Sequence, residues 1–173
     1  MVGRRTLDAP IGVRLPIPQP KQLFLHQTQN PRYNYHMKIP ETIKTNEPAT
    51  EDIILNTASE LGIILPEDLN NFYKKSNGAE GTLGTQGYIQ IWPIDTLSER
   101  NKKMETTSNL PESIIFASNG GSFNYGYSAE RGNEHYFMVD PISMKDDIFE
   151  GGKTLEELFA RIGDGVLERM NLE

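Results

Sequence analysis

Residues 114–141 read IIFASNGGSFNYGYSAERGNEHYFMVDP, and this stretch decides the fold. Ile114, Ile115, Phe116 and Ala117 form an apolar run of β-branched and aromatic type, the composition of a buried strand. Ser118-Asn119-Gly120-Gly121 then gathers turn formers, and Tyr125 and Tyr127 follow with the period of a second strand. Arg131-Gly132-Asn133 turns the chain again into His135-Tyr136-Phe137-Met138-Val139, which Asp140-Pro141 closes. Strands joined by turns this short predict an antiparallel meander.

Toward the N-terminus, Gly87 to Trp92 sets Ile89 and Ile91 against Tyr88, Gln90 and Trp92, a strand with two differently packed faces. Pro93 ends it, and Asp95 is expected to cap a short helical turn through Leu97. Thr50 is placed to cap a helix with Glu51 and Asp52 in its first turn, Ile54, Ala58 and Leu61 on one face, and Gly62 as its stop. Pro66 suits the first position of a second helix, where Leu69, Phe72 and Tyr73 share a face and Asn77-Gly78 is expected to supply a left-handed cap. Downstream, Thr154-Leu155-Glu156-Glu157 has the form of a capping box, and Leu155, Leu158, Phe159 and Ile162 make an apolar stripe ended by Gly163. Helices first, sheet in the middle and helix last predict a single α+β domain, its central, mainly antiparallel sheet flanked by N-terminal and C-terminal helices.

The predicted domain runs over residues 50–165, with 37–49 as a linker and 166–173 as a C-terminal tail. Residues 1–36 carry Pro10, Pro16, Pro18, Pro20 and Pro31 without sustained apolar periodicity, the composition of a disordered or extraneous extension. Met37 is expected to be the native start. No 7–15-residue apolar segment follows Arg4-Arg5, so no export signal is read there, and a cytoplasmic protein is expected. The complete absence of cysteine removes disulfides, thiolate metal sites and cysteine nucleophiles, and suits a reducing compartment.

The chain has 17 basic and 24 acidic residues. Five of the bases and one of the acids precede Met37, which leaves 12 against 23 and a net charge of −11 beyond it. Such a field repels nucleic acid and anionic membrane, and speeds encounter with basic partners. Neither nucleic acid nor membrane is therefore expected as a partner.

Candidate chemistry is sparse. Of the three histidines, His26 and His36 lie in the extension, and His135 falls on a strand among aromatics, where a structural role is expected. Asp140, Asp146, Asp147 and Glu150 cluster after the third strand of the meander, but without calcium-loop spacing, so a solvated or partner-facing surface is expected and no metal. Gly120-Gly121 leads into Ser122-Phe123-Asn124 and a strand, not into the lysine and helix of a phosphate loop. No pair of carboxylates is fixed by a motif. No catalytic residue and no cofactor are assigned, and the chain is read as a non-enzyme. Trp92, beside Pro93 at a strand end, is expected to be buried.

Leu61-Gly62-Ile63-Ile64-Leu65-Pro66-Glu67-Asp68-Leu69, then Phe72-Tyr73 and Asn77-Gly78-Ala79-Glu80-Gly81, resemble the opening of the SUKH superfamily. The likeness continues through Ile91-Trp92-Pro93-Ile94, Ile115 to Gly121, Tyr125-Gly126-Tyr127 and Thr154 to Phe159, over about residues 50–165. It is strongest to the branch named after yeast regulators of cell-wall glucan synthesis, whose bacterial members are implicated as immunity proteins against polymorphic toxins. Where that family has Asp-Gly-Gly or a similar acidic turn, this chain has Ser118-Asn119-Gly120-Gly121, which keeps the turn and drops a charge.

The resemblance implies a SUKH-like mixed sheet with flanking helices, no established catalytic activity and a variable protein-binding surface. The leading expectation is an immunity protein that binds and neutralises a cognate, basic toxin domain such as a nuclease. The alternative is an intracellular regulatory scaffold linked to glucan synthesis or signalling. Glu130, Glu134, Asp146, Asp147 and Glu150 are expected to form the binding surface, with Tyr125 and Tyr127 as exposed central anchors.

Overall fold

The computed structural model describes residues 39–167, and the expectations for residues 1–36 and for the last six residues lie outside that range. The elements run β1 (Ile43–Thr45), α1 (Glu51–Leu61), α2 (Glu67–Tyr73), β2 (Ala79–Leu83), β3 (Gly87–Ile91), a 3₁₀ turn Ile94–Thr96, α3 (Leu97–Lys103), α4 (Thr106–Asn109), β4 (Ser113–Ser118), β5 (Asn124–Ser128), β6 (His135–Val139), a 3₁₀ turn Met144–Asp146, β7 (Ile148–Gly152) and α5 (Leu155–Gly163). The seven strands form one sheet in sequential order, and every neighbouring pair is antiparallel. The architecture is thus the α+β meander with flanking helices that the sequence predicts.

The first helices obey their local signals. Thr50 Oγ1 accepts the Ile53 N–H at 3.4 Å, and Gly62 closes α1 with φ 69°, a left-handed conformation costly for residues with a Cβ. In α2, Leu69, Phe72 and Tyr73 are fully buried; each burial stabilises the domain by about 1.5–3 kcal/mol relative to exposure. At α5, Thr154 Oγ1 accepts the Glu157 N–H, while the Glu157 carboxylate accepts the Lys153 N–H instead of that of Thr154, a capping box displaced by one residue.

Strand register explains why the sheet has one half-open end. Across β2 and β3 the pairs Ala79–Ile91, Gly81–Ile89 and Leu83–Gly87 face inward, while Glu80–Gln90 and Thr82–Tyr88 face outward. In β4, β5 and β6 burial does not alternate, because helices cover both faces. On one face Tyr136 reaches Asp68 of α2; on the other, α3 and α4 pack on β4, and the Asn124 amide lies 3.6 Å from Met104 Sδ. Gly126, between Tyr125 and Tyr127, lets the Phe137 ring cross the strand; a Cβ there would also sit 2.6 Å from the Ile114 carbonyl oxygen.

Four local expectations need correction. The stretch read as a linker contains β1, whose Ile43 is buried and pairs with Gly81. Three residues between Pro40 and Pro48 are too few to show a period. Asn77-Gly78 does not cap α2, which closes through Lys74 and Ser76 N–H groups onto Asn70 and Phe72 carbonyls. Instead Asn77 Oδ1 accepts the Ile94 N–H at 2.7 Å, so the pair couples the approach to β2 to the chain beyond β3. The turn near Asp95 lengthens into α3, and Asp95 accepts from the Asn77 amide without capping a helix. Finally, Ile148 to Gly152, to which the sequence assigns no strand, is the edge strand β7; Glu-Gly-Gly has weak strand propensity, and pairing to β6 overrides it.

Candidate functional site

The seven residues expected to form one binding surface are distributed by the meander into four places, three for the acids and the core for the two tyrosines. Glu130 and Glu134 lie in the β5–β6 loop, and Asp146 and Asp147 in the β6–β7 loop, at the opposite end of the five-residue β6, roughly 13 Å of strand away. Glu150 sits between, exposed on β7 opposite Phe137. All five acids are exposed, but they do not make one patch.

Tyr125 and Tyr127 are not surface anchors. Tyr125 is 0% exposed and Tyr127 8%, both in the core. The reason is register: Tyr125 stands opposite Met138 and Tyr127 opposite Tyr136, on the sheet face covered by α2 and α5. The Tyr127 and Tyr136 rings lie 5.1 Å apart. Burial raises the Tyr127 hydroxyl above the ordinary tyrosine range, with the charges of Glu134 and Asp68 adding to the effect.

The two acidic groups differ electrically. In the β5–β6 loop, Glu130 Oε2 accepts from the Asn133 amide at 3.2 Å, and the Lys153 ammonium reaches the Glu134 carbonyl at 3.1 Å. The backbone N–H groups of Glu134 and Gly132 hold the Glu134 carboxyl below the usual carboxylate range, with Lys153 and Arg131 contributing further. Two acids there are balanced by two bases. From Asp140 to Glu150 the sequence holds four acids and one base, Lys145, and Arg161 Nη1 donates to the Glu150 carbonyl at 3.1 Å. The ion pairs among the described residues, Lys74–Glu51 at 3.3 Å and Lys103–Glu99 at 2.6 Å, lie elsewhere.

The β6–β7 loop is also well braced. Asp140 Oδ1 accepts the Ile142 N–H at 2.7 Å and the Ser143 N–H at 3.4 Å, and the Met144 N–H returns to the Asp140 carbonyl at 2.8 Å. The Met144 side chain is buried beneath the loop, and Ile142 stands 93% exposed. Sequence reasoning missed Ile142; its signal is an aliphatic residue directly after Asp140-Pro141, outside any strand or helix period.

Other polar groups singled out from the sequence serve the fold. His135 Nδ1 lies 2.6 Å from the Asn133 carbonyl oxygen beside its turn. Trp92 is buried as expected, with the Arg100 guanidinium 4.6 Å above its ring. A concavity of about 540 Å³ runs between Glu60, Ser98, Lys102 and Glu105, with Asn101 in its wall. The Asn101 amide is committed to backbone, donating to the Leu97 and Ile115 carbonyls and accepting the Ile115 N–H. Among the described residues no three His, Asp or Glu side chains are grouped to hold a metal ion, and no helix is long and apolar enough to cross a membrane. The arrangement offers a charged, shaped exterior.

Comparison with known proteins agrees with the fold and the motif order. Residues 48–161 match the SMI1 / KNR4 family (SUKH-1). Among curated proteins none matches the chain.

Proposed function

Because the chain belongs to the SMI1 / KNR4 family (SUKH-1), which includes both toxin-immunity proteins and regulators, we propose that it is an immunity protein acting inside the cell. It binds a cognate toxin domain and blocks the toxin's active site or substrate path by protein–protein contact. We assign it no catalytic step and no cofactor. The observation that carries this reading is the excess negative charge beyond Met37, net −11, with Asp146, Asp147 and Glu150 exposed and outside the ion pairs of the described residues. A basic toxin domain, such as a nuclease, meets complementary potential there, which steers fast association and favours this partner over acidic ones.

The second reading, a regulatory scaffold linked to glucan synthesis or signalling, rests on the family's other branch. Gene context separates the two: an adjacent large toxin gene supports immunity, and an intron-bearing locus without one supports regulation. Coexpression with the toxin domain of a neighbouring gene tests the first reading directly. Restored growth supports it, and continued killing by a toxin domain expressed alongside the folded chain counts against it.

A further inference from the structure

The order of the strands fixes which loops share an end of the sheet. In a sequential antiparallel meander the β2–β3, β4–β5 and β6–β7 connections emerge together, and the β5–β6 loop emerges opposite. The hairpin end therefore carries Ile142, and Asp146 and Asp147 in the same loop. Ile148, 42% exposed, pairs with Val139 at the same end of β6, in the cross-strand row of Gln90, Ser118 and Asn124. Tyr88, 36% exposed, lies on that same sheet face, with the β4–β5 turn at Gly120 against its ring. From β3 to β7 the span is four strand spacings, roughly 19 Å, which fits within one standard protein–protein interface.

Charge and apolar exposure thus coincide at one end and separate at the other. Glu130 and Glu134 are balanced by Arg131 and Lys153. In the loop that holds Ile142, Asp140, Asp146 and Asp147 outnumber Lys145 three to one, and the backbone on either side of this side chain is already ordered by Asp140. An exposed aliphatic group carried on a hydrogen-bonded turn inside a mainly acidic rim has the anatomy of an interface anchor, because little backbone ordering entropy is lost when it enters a socket. The negative rim selects a positive surround.

We propose that the hairpin end of the sheet, centred on Ile142, docks a folded protein domain whose apolar socket is ringed by lysines and arginines, and that the Glu130–Glu134 end stays outside the contact. The proposal rests on the immunity reading and names the surface that reading leaves open.

The test compares the full-length chain with Ile142→Asp, with Asp146→Lys plus Asp147→Lys, and with Glu130→Lys plus Glu134→Lys, each checked for an unchanged thermal unfolding profile. Titrated against the toxin domain of a neighbouring gene, the first is expected to weaken binding about 30-fold and the second at least about tenfold, while the third stays within about threefold. Wild-type binding that Ile142→Asp leaves intact, or that only the Glu130/Glu134 variant loses, overturns the surface assignment and leaves the immunity reading standing. If the wild-type chain does not bind that toxin, the immunity reading falls, and a second measurement judges the surface. A nuclear magnetic resonance titration of the wild-type chain with a hexa-arginine peptide at low salt is expected to shift the amides of residues 140–148. Shifts concentrated at residues 130–134 overturn the proposal.

Discussion

The Tyr136 hydroxyl donates to the Asp68 carboxylate at 2.6 Å, across 68 positions of sequence. The same carboxylate accepts the Leu155 N–H through its other oxygen, also at 2.6 Å, and the Leu69 N–H at 2.8 Å. One partly buried acid therefore joins α2, strand β6 and the first turn of α5, where the helix dipole also favours negative charge. It is a structural hub in a protein whose other acids mostly face solvent.

Removing that hub leaves a buried phenol and a helix-terminal N–H without their acceptor. Asp68→Ala is expected to cost about 2–4 kcal/mol, Tyr136→Phe about 1–2, and the pair to show a coupling energy of about 1–2 in a double-mutant cycle. Urea unfolding of the four proteins checks this. Additive effects would mean that the hydrogen bond contributes nothing beyond its separate groups.

Asn101 copies a backbone edge. Its amide satisfies the Ile115 N–H and carbonyl, at 2.8 Å each, beside the irregularity in β4 pairing between Ile115 and Ala117, and it also bonds the Leu97 carbonyl at 2.9 Å. Asn101→Leu keeps volume but strands two backbone groups. It is expected to lose about 2–4 kcal/mol in chemical denaturation, and Asn101→Asp, which keeps the acceptor for the Ile115 N–H but buries a carboxylate oxygen against the Leu97 and Ile115 carbonyls, at least as much at neutral pH.

Alkaline pH gives an independent check on the core. Burial, then the neighbouring Asp68 charge, drives the Tyr136 hydroxyl far above its usual value of 10.0; burial, then Asp95, does the same to Tyr73, whose hydroxyl bonds the Trp92 carbonyl. The folded chain thus keeps both protons at a pH where the unfolded chain releases them. Their contribution to stability is complete below about pH 10 and is lost as pH rises beyond it, by about 1.4 kcal/mol per pH unit for each group. Denaturant midpoints should fall more steeply above pH 10 in the wild type than in Tyr136→Phe. Reversible ionisation of all tyrosines in the folded chain at the ordinary value would contradict the buried placement.

Much of this fold is legible in the sequence because local chemistry and tertiary structure agree. Thr50 and Gly62 bound α1, the apolar positions of α2 and α5 repeat with helical spacing, and glycine and asparagine turns separate β4, β5 and β6. What stays hidden depends on partners distant in sequence. β1 and β7 are short edge strands whose extended form comes from β2 and β6, and α3 follows from packing on β4 without any strong cap. The candidate surface is harder still. Period two cannot tell the covered face of β5 from an open one, so Tyr125 and Tyr127 read as anchors when register puts them inside. Nor does proximity in sequence reveal that Glu134 and Asp146 lie at opposite ends of β6.

Steering by charge has a kinetic signature. Association with a basic toxin domain is expected to slow by about tenfold or more between low and physiological ionic strength, with a much smaller change in the dissociation rate. Stopped-flow mixing at several salt concentrations measures both. A salt-independent association rate would remove the acidic surface from the encounter.

The central claim, capture of a cognate toxin by this acidic domain, is tested most directly by calorimetric titration of the full-length chain into the catalytically inactivated toxin domain encoded beside its gene. A saturable complex with a Kd below about 100 nM, or roughly −10 kcal/mol, is expected, and with the active toxin domain a loss of turnover on the same concentration scale. Absence of heat and of inhibition at micromolar concentrations, with both proteins folded, would contradict it.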